Sequence, residues 1–125
     1  MSKSNASKLK RRLRRRMSIR ARVHGTAERP RLSVFRSLTG VYAQLIDDEA
    51  GKTLMAVHSK KVDASKADAG ERSGKIAVAY ALGKAIAEQA KAANVQVVVF
   101  DRGGFAYHGR VKAVAEGARD GGLQF

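Results

Sequence analysis

Cysteine and tryptophan are absent from this chain of 125 residues, and proline occurs once. Without cysteine there is no disulfide scaffold, no thiol nucleophile and no Cys-ligated zinc or iron–sulfur site. No apolar run approaches the roughly 18–20 residues that a spanning helix needs, so the expectation is a protein not integral to a membrane. Acidic residues are scarce: 11 Asp and Glu stand against 25 Lys and Arg, a formal charge of +14. A hydrophobic fraction of 44% is nevertheless too high for a wholly disordered polycation. The length suits one domain with one core. What is left is a small, basic, folded chain whose expected partner is a polyanion.

The charge is unevenly placed. Residues 1–36 hold thirteen Lys and Arg against Glu28 alone, a net +12, whereas residues 37–125 hold twelve against ten, a net +2. A cationic arm, residues 1–29, therefore precedes a nearly neutral domain, residues 30–125. Within the arm Ser7 is a candidate helix N-cap, and Leu9, Leu13 and Met17 recur at i, i+4 and i+8 on one face. Seven of the nine residues from Lys8 to Arg16 are cationic, so an isolated helix here repels itself. The expectation is a segment that is disordered alone and helical on an anionic surface. Two other readings of the arm stand beside this one. An acid-poor, Arg- and Ser-rich amphipathic segment fits a mitochondrial transit peptide, and a basic amphipathic helix can lie on an anionic membrane. The stripe has only three sizeable apolar residues and no aromatic anchor, which counts against the membrane.

Pro30 biases Arg29 towards extended geometry and so ends any arm helix before the first strand. Arg31–Arg36, Val41–Ile46 and Lys52–Ser59 read as three strands joined by turn chemistry, an antiparallel meander. Leu32 and Val34 share one face of the first, Ser33 and Phe35 the other. After a polar stretch, helical spacing from about Ser73 to Ala93 predicts an Ala-rich helix, with Asn94 as its stop. Val95–Phe100 is an apolar, β-branched run of the kind expected in a strand buried on both faces. A second helix is predicted over about Arg110–Arg119, with Leu123 and Phe125 packing back after Gly121 and Gly122. The order β-β-β-α-β-α predicts an α/β fold: a mixed four-stranded sheet, two packed helices and a basic arm. The crossover helix should return the fourth strand parallel to the first, beside it.

Enzyme motifs fit poorly. Gly70-Glu-Arg-Ser-Gly-Lys-Ile76 has the wrong spacing and ending for a phosphate-binding P-loop, and no apolar strand precedes it. His24, His58 and His108 are far apart and form no metal-ligand pair motif. Asp47, Asp48 and Asp101, with His108, are the one constellation that a metal-dependent nuclease could use, though Asp47 and Asp48 sit where a turn is expected. The segment Asp101–Arg110 is different: two arginines, two aromatics, a histidine and three glycines follow the fourth strand. Glycines allow close approach, arginine forks match phosphate and aromatic faces stack on bases. The competing reading is a tight turn in which Phe105 and Tyr107 plug the core.

Several blocks also resemble a known family. Arg29-Pro-Arg-Leu-Ser-Val-Phe-Arg-Ser37, Val41-Tyr-Ala-Gln-Leu-Ile-Asp-Asp48, the Gly51-Lys-Thr-Leu54 turn, Val98–Ala113 and the ending Ala118–Phe125 are similar to the bacterial large-subunit ribosomal protein numbered eighteen. The resemblance runs from about residue 8 to the C-terminus. It implies a cytoplasmic ribosomal protein, not an enzyme, that binds 5S rRNA and helps dock it to 23S rRNA in the central protuberance beside neighbouring large-subunit proteins. It implies no cofactor, no metal, no membrane and no small-molecule substrate. Carried over by position, RNA contacts are expected from Lys8, Lys10, Arg11, Arg12, Arg14, Arg15, Arg16, Arg20, Arg22 and Arg29 in the arm. Further contacts are expected from Arg31, Ser33, Phe35, Arg36 and Ser37 in the first hairpin, with Tyr42 and Gln44 on its face. The turn supplies Arg102, Tyr107, His108 and Arg110.

Overall fold

The computed structural model describes residues 3–38, 40–63, 69–70 and 72–125. A first helix, α1, runs Lys3–Arg22. It begins four residues before Ser7, so Ser7 is not its cap; nothing between Lys3 and Ser7 breaks a helix, and the Ser7 carbonyl instead accepts a hydrogen bond from Arg11 Nε at 3.4 Å. The connector that follows is fastened to the body from Gly25 onwards. The Gly25 carbonyl accepts from the Asp48 N–H at 2.9 Å, and Thr26 and Arg29 close a small turn at 3.0 Å.

The sheet is a meander of β1 (Arg31–Arg36), β2 (Val41–Asp47) and β3 (Lys52–His58), plus β4 (Val99–Asp101). The order is β3-β2-β1-β4, with β1 and β4 parallel and the other pairs antiparallel. Alternation sets the faces, since successive side chains in a strand point to opposite sides. Leu32 opposite Leu45 and Val34 opposite Ala43 form the buried side. A 3-10 turn at Ser59–Lys61 leads towards α2 (Gly74–Ala92), and α3 (Gly109–Asp120) follows β4. Asn94 adopts a left-handed φ of 62° just past α2, as its place after the helical run predicts.

Helices α2 and α3 lie against the buried face, with Leu82, Ile86, Val111 and Val114 reaching the same core as Leu32 and Leu45. The two helices meet backbone to backbone. A Cβ added at Gly83 would overlap the Val114 carbonyl oxygen, and one at Gly117 would overlap that of Tyr80.

One strand departs from expectation. The run 95–100 is not a strand buried on both faces: β4 is three residues long, and Val97 is exposed. It has β1 on one side only. On the other side the C-terminal tail supplies a brief parallel bridge, Val97 with Gln124, in which the Val98 N–H donates to the Gln124 carbonyl at 3.0 Å. Leu123 is buried and Phe125 stacks on Phe100 at 5.5 Å, so the tail does pack back.

Candidate RNA interface

Arg31 organises the centre of the site from below. It is 5% exposed. Its Nε and Nη2 donate to both oxygens of Asp48 at 2.9 Å, and Nη1 donates to Asp101 Oδ2 at 2.7 Å. Asp48 also accepts the Gly25 N–H at 2.7 Å, and Asp101 accepts the Gly103 N–H at 2.8 Å. One guanidinium fork thus joins the connector, the end of β2, β1 and the loop after β4. The Arg31 hydrogen bonds, aided by the Gly25 N–H and against the pull of burial, hold the Asp48 carboxyl down at about 2. The same pairing with Asp48 raises the Arg31 pKa. The side chain of Arg31, one of the expected contact residues, is thus turned to two carboxylates inside the protein.

The same geometry removes the nuclease constellation. Asp48 and Asp101 are brought together, but around Arg31, while Asp47 accepts the Glu49 and Ala50 N–H groups at 3.0 and 3.2 Å to shape the β2–β3 turn. Among the described residues no group of three or more His, Asp or Glu is placed to hold a metal ion.

Fixed by Asp101, the chain turns through Gly103 and Gly104, both at positive φ (64° and 83°). A Cβ at Gly103 would also lie 3.0 Å from the Val34 carbonyl oxygen, so the position calls for glycine twice over. The turn drops Phe105 into the core at 5% exposure. Phe105 thus takes the plug reading, while Arg102, Tyr107 and His108 stay exposed. Over the Phe105 ring three groups converge: Phe35 edge-on at 5.7 Å, Arg36 at 5.4 Å and Arg12 of α1 at 4.8 Å. A guanidinium over an aromatic face is an attractive arrangement. It brings arm, hairpin and loop, far apart in sequence, to one point.

On the sheet face opposite α2 and α3, Phe35 pairs with Tyr42 and Tyr42 with His58 across three strands. The Tyr42 and His58 rings lie 6.1 Å apart, and Phe35 is 48% exposed. Ser33 and Gln44 form the next rung. His58 was not expected in this row, though its place in the β3 alternation is the signal that would have found it.

In α1 the side chains of Lys8, Lys10, Arg11, Arg14 and Arg15 are exposed and that of Arg12 is half-buried. Those of Arg16, Arg20 and Arg22 lie outside the described residues. Arg29 is exposed in the connector and Arg36 at the end of β1. Ser37 Oγ donates to the Gly40 carbonyl at 3.2 Å, and the Ser37 carbonyl accepts from Arg110 Nη1 at 3.3 Å, tying the hairpin to the start of α3. Tyr107 sits edge-on to Phe100 at 6.1 Å, and its hydroxyl accepts from Arg119 at 3.5 Å. Arg119 was not foreseen beside the loop, because α3 brings it there from a turn or more away. Chemically, the arrangement offers cationic forks for phosphate and exposed rings for unpaired bases.

The family model described as ribosomal L18 of archaea, bacteria, mitochondria and chloroplasts matches residues 6–125. The large ribosomal subunit protein uL18 of Chlorobaculum tepidum is 58% identical over 115 residues, covering 89% of this chain and 93% of that protein. The protein of the same description from Lactobacillus delbrueckii subsp. bulgaricus is 55% identical over 125 residues, covering 100% and 99%. That of Herpetosiphon aurantiacus is 52% identical over 125 residues, covering the whole of both chains.

Proposed function

The chain belongs to the ribosomal L18 family, a structural constituent of the large ribosomal subunit and not an enzyme, and from that premise we propose that it binds 5S rRNA and helps hold it to 23S rRNA in the central protuberance. Its place is the cytoplasmic ribosome, among neighbouring large-subunit proteins. The observation that supports this most is the meeting of Arg12, Arg36 and Phe35 over Phe105, which joins the cationic helix to the loop of Arg102, Tyr107 and His108. Phosphate contacts from α1 supply affinity, and the exposed rings and loop fit unpaired or non-helical RNA. The helix α1 is the part of this surface that takes its final order on RNA.

Gel-shift titration of 5S rRNA at several salt concentrations tests the proposal. Removing residues 1–22 takes away ten Lys and Arg and no acid, while leaving the Gly25–Asp48 bonds in place. The truncated chain is expected to bind more weakly and with a shallower salt dependence, because fewer counterions are released. It should unfold at the same urea concentration as the full chain. An unchanged salt slope would sink the reading.

A further inference from the structure

We infer that a cleft at one end of the sheet receives a single unstacked nucleotide of the bound RNA, its base against an apolar wall and its phosphate on Lys75 and Arg110. This rests on the RNA-binding reading above and adds a subsite to it. The cleft has a volume of 390 Å³ and lies between the β1–β2 hairpin, the first turn of α2 and the start of α3. That size falls in the range of about 300–1,000 Å³ usual for small-ligand sites. Val41 and Ala79 are buried at its floor, Val78 forms a half-buried wall, and Leu38 stands on the rim 98% exposed.

The mouth carries the opposite chemistry. Lys75 is exposed there, and Arg110 is steadied by its bond to the Ser37 carbonyl at 3.3 Å. Among the described residues no acidic side chain lines the cleft, and neither α2 nor α3 has an acidic residue in its first turn. The charged side chains described at the mouth, Lys75 and Arg110, are both cationic. An apolar slot with a cationic lip matches a group that is flat and apolar at one end and anionic at the other, which a nucleotide is and an apolar peptide side chain is not. Bases in a duplex are stacked and out of reach, so the nucleotide belongs to a bulge, loop or junction.

The absence of tryptophan from the chain makes the test direct. Leu38→Trp places a single indole on the rim, and 5S rRNA is titrated against the full-length variant. The expected result is saturable binding accompanied by quenching of the indole, with one nucleotide losing reactivity towards a base-specific reagent. Adding Val78→Phe fills the slot and should abolish the quench and weaken binding about tenfold, the scale of one stacked base. Val78→Ala, which only enlarges the slot, should keep the quench. Lys75→Gln should lower the salt slope by about one. If the RNA saturates Leu38→Trp with emission unchanged, or if Val78→Phe keeps its helical circular dichroism and both the quench and the affinity persist, the slot is wrong while RNA binding stands. If no saturation occurs with the unaltered chain, both readings fall. Should Val78→Phe not fold, Lys75→Gln with unaltered slope and affinity overturns the proposal on its own.

Discussion

In α1, Arg11, Arg14 and Arg15 stand in solvent on a helix without an acidic residue in its first turn, whereas Arg31, one short connector later, lies 5% exposed between Asp48 and Asp101. The side chains are chemically identical, yet their surroundings give them opposite roles. Exposed cations interact through water, are screened by salt and become useful when a phosphate backbone arrives. Arg31 has exchanged water for two carboxylates, and it fixes the connector, the end of β2 and the loop after β4 relative to one another. The comparison shows that a charge count identifies the class of partner but not the contact residues. Burial and pairing decide those.

The sharpest way to break the comparison is Arg31→Met, which keeps the length of the side chain and leaves Asp48 and Asp101 without their cation. Removing one partner of a buried pair costs about 3–5 kcal/mol, so the urea midpoint should fall steeply. Unchanged stability with weakened RNA binding would instead place Arg31 with the arginines of α1. A milder probe is acid. The Asp48 carboxyl is held at about 2 against an ordinary 3.8. Because the folded value is the lower one, its contribution is complete above pH 4 and drains away as pH falls towards 2, amounting to about 2 kcal/mol. Urea midpoints taken across that window should slope for the full chain and equally for the chain truncated at residue 22. A flat profile would show that the pair carries no stability. The smallest effect on the fold is expected from the triple change of Arg11, Arg14 and Arg15 to Gln. Stability should stay within about 0.5 kcal/mol, while the salt slope of RNA binding drops by about three. A large loss of stability there would mean that α1 is part of the core after all.

Much of the scaffold could be read from residue order. The alternation of Leu32 and Val34 against Ser33 and Phe35, the helical spacing through Ile86 and Ala90, and the crossover rule together yielded the meander, both packed helices and the parallel return of β4 beside β1. What escaped depended on contacts distant in sequence. The run 95–100 has the composition of an interior strand, but periodicity cannot count neighbouring strands, and here one neighbour is a tail that pairs for a single bridge. Arg31 looks like any other residue of a basic block until partners 17 and 70 positions away close on it. Phe105 presented two faces, plug or stacking surface, and it became the plug whose ring the cations then share. The exposure of Arg102, Tyr107 and His108 in the loop and of Phe35 and Arg36 in the hairpin agrees with their place in the turn and in the strand alternation. The place of Arg119 beside Tyr107 could not be read, because the length of α3 brings it there, whereas that of His58 beside Tyr42 was available in the β3 alternation.

The glycine contacts between α2 and α3 carry a mechanical consequence. Gly83 and Gly117 let two backbones touch on the side of the molecule away from the exposed rings. A methyl group at either position is a wedge, and a wedge between rods tilts their ends. The end of α3 that would swing is the one bearing Arg110, which is tethered to the hairpin through Ser37. Gly83→Ala would thus shift Arg110 without touching it, so tolerance to substitution between the two helices is set by the alignment of a side chain at the other end of α3.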